Sequence, residues 1–171
     1  MIHCYTGNGK GKTTAALGVA FRASGYGWNT CIIQFIKGSW YTGEIDAVKL
    51  IPNIDLVQAG KGFYKILDDK LPPSEHRRAA SEALNVIKER IHSGKYSIIV
   101  LDEVNVAVSL KLLKVDEILN ILKNAPQKTH FILTGRDAPE EFIEIADLVT
   151  EMKEIKHPFQ EGIQAQEGLD F

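Results

Sequence analysis

The chain is short of everything that would mark it as secreted, membrane-bound or disulfide-held. It has two cysteines in 171 residues, Cys4 and Cys31. They lie in separate apolar, strand-like runs, so they read as buried free thiols of a cytoplasmic protein. No apolar run approaches the ~18–20 residues of a membrane span. Met1-Ile2-His3-Cys4-Tyr5 has neither the basic start nor the apolar stretch of a signal peptide. No excess of basic charge exists: the net charge is −2 and the pI about 6.2. That argues against general nucleic-acid binding. The five histidines (3, 76, 92, 130 and 157) show no metal-ligand spacing. No Ser/His/Asp or Cys/His constellation is legible, and there are no repeats or low-complexity tracts. What remains is a normal globular composition, 44% hydrophobic and 25% charged, which fits one α/β domain over residues 1–171.

Short β-rich runs alternate with longer helical patterns, which predicts a mostly parallel sheet of about six strands flanked by helices. Strands are expected at Ile2 to Thr6, Thr30 to Ile36, Asp55 to Ala59, Tyr96 to Leu101, Thr129 to Thr134 and Leu148 to Ile155. Helical spacing covers Lys12 to Ala23, ended by Gly25, and Val115 to Lys123. A long helix follows Pro72-Pro73, with Ser74 as its cap, an apolar stripe from Ala79 to Ile91 and Gly94 beyond its end. In such a sheet, ligands gather at the carboxyl ends of the strands. Three segments fall there: Gly7 to Thr14, Asp102-Glu103 and Thr134-Gly135-Arg136. Between Lys37 and Pro72, glycines and aromatics describe a mobile binding wall with one strand embedded.

Thr6-Gly7-Asn8-Gly9-Lys10-Gly11-Lys12-Thr13-Thr14 follows a strand and opens a helix, the setting a phosphate loop requires. Gly7, Gly9 and Gly11 permit positive φ, so backbone N–H groups can converge on phosphate oxygens. The helix N-terminus adds free N–H donors and a favourable dipole. Lys12 supplies a positive charge. Thr13 can place its hydroxyl on Mg²⁺. Residues Gly7, Asn8, Gly9, Lys10, Gly11, Lys12, Thr13 and Thr14 are therefore the expected ATP site. Thr6 stands where the general pattern has its first glycine. In phosphate-loop proteins an acid at the end of a buried strand holds the metal directly or through water. Asp102 and Glu103 both qualify, and the spacing does not choose between them.

The wording of the loop narrows the class. Residues Tyr5 through Ala16 closely resemble the loop of the corrinoid adenosyltransferases. The resemblance continues in family order through Gln34-Phe35-Ile36-Lys37-Gly38-Ser39-Trp40, Val100-Leu101-Asp102-Glu103 and Thr134-Gly135-Arg136. It recurs from Ala146 to Met152, in Lys156-His157-Pro158-Phe159 and from Gly162 to Phe171. Thr6 is itself a feature of this family. The resemblance implies a RecA-like phosphate-loop domain, normally a homodimer. It implies transfer of the 5′-deoxyadenosyl group of ATP to the Co(I) of a reduced corrinoid, with release of triphosphate and an electron-donor protein as a further partner. Lys12, Thr13 and Glu103 are the residues expected to carry catalysis, with Mg²⁺ on Thr13, Asp102 and Glu103.

The family often has a Phe-x-Trp pair that helps to strip the lower cobalt ligand. Here Phe63 matches the Phe, Lys65 stands in place of Trp, and Tyr64 lies between. Trp40, Phe63 and Tyr64 are the expected corrinoid wall. The chain begins almost at the first strand, whereas family members often carry an N-terminal extension that helps cover the site. The alternatives are a generic phosphate-loop ATPase or small-molecule kinase, and a nucleotide-dependent regulatory switch. A kinase would be expected to show an arginine-rich lid, and the arginines at 22, 77, 78, 90 and 136 form no such cluster.

Overall fold

Period-two alternation along four central strands decides the architecture. Cys4, Ile33, Leu101 and Leu133 face one side of the sheet and Tyr5, Ile32, Val100 and Ile132 the other; each set belongs to its own buried cluster. Strands buried on both faces read as continuous apolar runs, as parallel strands do. In the computed structural model, residues 1–37, 41–62 and 71–171 are described. The strands are β1 (Ile2–Thr6), β2 (Thr30–Gln34), β3 (Ile54–Gln58), β4 (Ile98–Asp102), β5 (His130–Thr134) and β6 (Leu148–Glu151). They form one sheet in the order β3-β2-β4-β5-β1-β6, and every pairing is parallel. This is the α/β sheet expected.

The helices are α1 (Lys12–Ser24), α2 (Glu44–Ala47), α3 (Pro73–His92), α4 (Val104–Ser109), α5 (Val115–Asn124) and α6 (Glu140–Ile145). Ala16, Ala20 and Ala23 put the small-residue stripe of α1 against Tyr5, Ile32, Val100 and Ile132. The opposite face is covered by Ala83, Leu84 and Ile87 of α3, Val104 and Ala107 of α4, Ile118 and Leu122 of α5 and Phe142 of α6. Both cysteines are buried and free, and burial pushes the Cys31 thiol up to about 12, which makes it inert at neutral pH.

Three local expectations are corrected. The long helix starts at Pro73 with Pro72 as its N-cap and no side-chain cap bond, so Ser74 lies inside the first turn rather than capping it. Proline suits that first turn because its missing N–H would have had no helical partner. The fourth strand starts at Ile98 rather than Tyr96. The sixth ends at Glu151, short of Ile155. Helices α4 and α6, six residues each, are too short to give a legible period.

Candidate nucleotide and metal site

A polar row crosses the carboxyl edge of the sheet under the start of α1. Gln34, Asp102 and Thr134 each follow by two residues an apolar side chain packed against α1: Ile32, Val100 and Ile132. The same alternation therefore puts them on that face, one step beyond the apolar layer. Gln34 and Asp102 are register partners across β2 and β4. All three are fully buried.

Asp102 gathers the row. Its Oδ1 accepts hydrogen bonds from the hydroxyls of Thr13 at 2.8 Å and Thr134 at 2.7 Å. Its Oδ2 accepts from Gln34 Nε2 at 3.3 Å and faces the Lys37 ammonium at 3.9 Å. Lys37 donates to Glu44 Oε1 at 2.7 Å, and Gln34 Nε2 reaches the same oxygen at 3.1 Å. Burial of Glu44 opposes its charge, yet the bonds from Lys37 win and hold its carboxyl below the usual range. Four elements are thus tied to one carboxylate: α1, β2, the segment leading to α2, and β5.

Glu103 is built differently. It takes a left-handed conformation, φ 64° and ψ 21°, at the N-cap of α4, and its side chain caps nothing there. Such a conformation costs roughly 1–3 kcal/mol in a non-glycine residue. It is held by the Glu103 N–H donating to Thr134 Oγ1 at 2.9 Å. Gly135 has φ 132°, and a Cβ there would crowd Glu103 Oε2 at 3.2 Å and Asn105 Cβ at 3.0 Å, so glycine suits the point where the two segments meet. Burial first, then the Asp102 charge, push the Glu103 carboxyl up to about 7, against the pull of Lys12, Lys37 and Arg136. Asn105 secures the junction by donating to the Gly135 carbonyl at 3.0 Å.

The glycine loop is backed by the chain that follows β6. Gly7 and Gly11 have positive φ, 93° and 117°. Gly9 does not, which corrects the expectation that all three serve that purpose. Its reason is close approach: an added Cβ would lie 2.7 Å from the Lys153 carbonyl oxygen, and the Gly9 N–H donates to Met152 O at 2.7 Å. That N–H is therefore spent within the protein.

Lys12 is buried, and its ammonium donates to Gly7 O at 2.8 Å and Gly9 O at 2.7 Å. Burial lowers its pKa, partly offset by Glu103. The first helical bond of α1 is Ala15 N–H to Gly11 O, so the amides ahead of it form the donor-rich helix start that attracts phosphate. Asn8 and Thr14 lie exposed at the mouth, and exposed Lys10 pairs with Asp170 at 2.5 Å. Trp40, Phe63 and Tyr64, the expected corrinoid wall, lie outside the described residues, as does Lys65. The structure thus brings the loop, Thr13, Asp102 and Glu103 together. It adds Gln34, Lys37 and Glu44, and it draws in Thr134 from the ligand-side segment Thr134-Gly135-Arg136; for Gln34 and Thr134 the signal in the sequence was a polar residue in step with the buried alternation.

The family model described as ATP:corrinoid adenosyltransferase BtuR/CobO/CobP matches residues 1–171. This chain belongs to that family. A corrinoid adenosyltransferase of a Sinorhizobium species is 41% identical over 174 residues, covering 100% of this chain and 80% of that protein. The enzyme of the same name from Pseudomonas aeruginosa is 36% identical, over 98% of this chain and 81% of its own length. That from Escherichia coli is 33% identical, over 100% and 85%. Among solved structures, an ATPase of the type III secretion system aligns with 94% of this chain and 52% of that one, at 16% identity and a TM-score of 0.49. The strand order, rather than that distant likeness, defines the fold.

Proposed function

We propose that this adenosyltransferase-family chain transfers the 5′-deoxyadenosyl group of ATP to the Co(I) of a reduced corrinoid and releases triphosphate. The observation that carries the reading is the Thr13–Asp102 hydrogen bond beside the glycine loop, in a chain that matches the family over its whole length. Attack at the ribose C5′ carbon makes the whole triphosphate a leaving group. Charge therefore grows on an oxygen that the site must stabilise. Residues Gly7 to Thr14 supply the loop for the phosphates, with the amides at the start of α1 as donors. Lys12 brings an ammonium, which would exchange the carbonyls of Gly7 and Gly9 for phosphate oxygen. The nucleophile is the cobalt itself, so no protein base or nucleophile is needed.

The donor set fits Mg²⁺, which prefers oxygen ligands and keeps several waters. The Thr13 hydroxyl gives its hydrogen to Asp102, leaving its lone pairs for a cation. Asp102 is already engaged by three hydrogen bonds and one ammonium, so it orients Thr13 and supplies negative charge. Glu103 keeps carboxyl oxygens that cap nothing in α4, and it is assigned to the metal-bound water. Held by Thr13, with Asp102 and Glu103 behind it, Mg²⁺ would neutralise charge on the leaving triphosphate.

Trp40, Phe63 and Tyr64 remain the proposed corrinoid wall, on the strength of the family resemblance and their broad apolar faces. Pairing of two copies, reduction by an electron-donor protein and a cytoplasmic setting belong to the same reading. So does the treatment of residues 1–171 as one domain.

An anaerobic assay with ATP and chemically generated Co(I) corrinoid tests the reaction. A light-sensitive cobalt–carbon bond should form, and phosphorus NMR should find intact triphosphate. ADP and phosphate appearing in proportion to turnover would favour the ATPase alternative instead.

A further inference from the structure

We infer that Gln34 is a positioning residue of this site: its side-chain amide fixes the Asp102 carboxylate, and Glu44 fixes that amide. The inference rests on reading Thr13 and Asp102 as a metal–nucleotide site. Gln34 closes β2, a strand whose five residues are all buried and whose interior is Cys31-Ile32-Ile33. A leucine would pack there without any polar group to satisfy. The amide instead directs its nitrogen at two carboxylates, Glu44 Oε1 at 3.1 Å and Asp102 Oδ2 at 3.3 Å. Its oxygen, Oε1, is buried and has no hydrogen-bond partner among the described residues. Leaving a buried acceptor unpaired is costly.

That orientation nevertheless wins, because the flipped amide would press its oxygen against both carboxylates. A side chain that forgoes one bond to hold two anions is doing more than filling space. Lys37 completes the brace, since its ammonium meets Glu44 at 2.7 Å and Asp102 at 3.9 Å. Without the Gln34 donor, Asp102 Oδ2 would lose its one neutral partner among the described residues and turn toward Lys37. Oδ1, which receives Thr13, would move with it. Gln34 thus acts on the metal through Asp102 and Thr13 and not by touching ATP.

The test is calorimetric titration of ATP into the full chain at a series of Mg²⁺ concentrations, repeated in EDTA. In Gln34→Met, which keeps the length and drops the donor, the Mg²⁺ concentration giving half of the full ATP affinity should rise about tenfold, the scale of a lost hydrogen bond to a charged group. Affinity for ATP in EDTA should stay within about twofold, because the loop amides and Lys12 are untouched. Glu44→Gln, at a partly exposed position, should shift the Mg²⁺ midpoint in the same direction by less, and it decides the matter if Gln34→Met does not fold. An unchanged midpoint in folded variants, or equal losses with and without Mg²⁺, would overturn the role. A wild-type protein whose ATP binding ignores Mg²⁺ would instead remove the metal reading itself, and this inference with it.

Discussion

Thr13 Oγ1 and Asp102 Oδ1 lie 2.8 Å apart although 89 residues separate them in sequence. One lies in the first turn of α1 and the other ends β4, and β5 supplies Thr134 to the same oxygen. The bond sets the Thr13 hydroxyl hydrogen toward the protein and its lone pairs toward a cation. Thr13→Val should therefore lower turnover about ten- to a hundredfold, the scale of a lost charge-assisted contact. Thr13→Ser, which keeps the hydroxyl, should retain most of it. Steady-state rates for the pair, with thermal melts to show that both fold, measure this. Equal loss in both variants would assign Thr13 to packing.

Lys12 makes a sharper case for catalysis over stability. Its two bonds go to the loop's own carbonyls, and it is an interaction with growing phosphate charge that should matter for rate. Lys12→Ala is expected to reduce turnover by about one to two orders of magnitude, from roughly 1.5–3 kcal/mol of charged hydrogen bonding. The loss of ATP affinity should be smaller, because the interaction strengthens in the transition state. Parallel measurement of rate and ATP dissociation constant checks the split; a variant normal in both would remove Lys12 from the reaction.

The loop and the acids were legible because their signals are local: strand, glycines, Lys12-Thr13, helix, and an apolar strand that ends in Asp102-Glu103. The six strands were legible for the same reason. The brace on Asp102 was not, because it depends on which strands are neighbours. Gln34 meets Asp102 only because β2 lies beside β4, and Thr134 meets it only because β5 comes next in the sheet. Strand order is a long-range property that composition and period do not carry. Gly9 was misread for a related reason. Its requirement comes from Lys153, 144 positions away in the chain, and not from its own φ. Glu103 in the left-handed region was also invisible, since nothing in Leu101-Asp102-Glu103-Val104 predicts a turn that glycine would normally make.

Glu103 gives the site a pH dependence in the nucleotide-free protein. Its folded pKa, about 7, stands above the ordinary carboxyl value of 4.5. The folded state therefore binds more protons than the unfolded chain between those values, and stability must fall as pH rises through that window. Below 4.5 the neutral form is common to both states and the contribution is fully present; above 7 it is gone. Glu103→Gln should flatten the decline and melt higher than the parent at pH 8. Melting curves from pH 4 to 8 for both proteins test it, and parallel slopes would mean that another group titrates.

Gly9→Ala should injure the loop without touching any residue expected to meet ATP through its side chain. The added methyl would sit 2.7 Å from Lys153 O and 2.8 Å from Met152 O, both backbone atoms that cannot rotate away. Relief requires the loop and the strand end to separate, which would break the Gly9 N–H bond to Met152 O. The expected cost is about 1–3 kcal/mol of stability, as for other overpacked buried sites. Displacing the loop also displaces Gly9 O, one of the two carbonyls that steer Lys12. Affinity for ATP should then fall about tenfold or more, since small misplacements of positioning groups are felt strongly. Gly18→Ala is the matched control: its added methyl has nothing within 4 Å. In mid-α1 it should stabilise by roughly 0.5–1 kcal/mol. Melting temperature and ATP affinity for the two variants separate the readings. If Gly9→Ala behaved like Gly18→Ala, the contact with the chain after β6 would have no part in holding the phosphate loop.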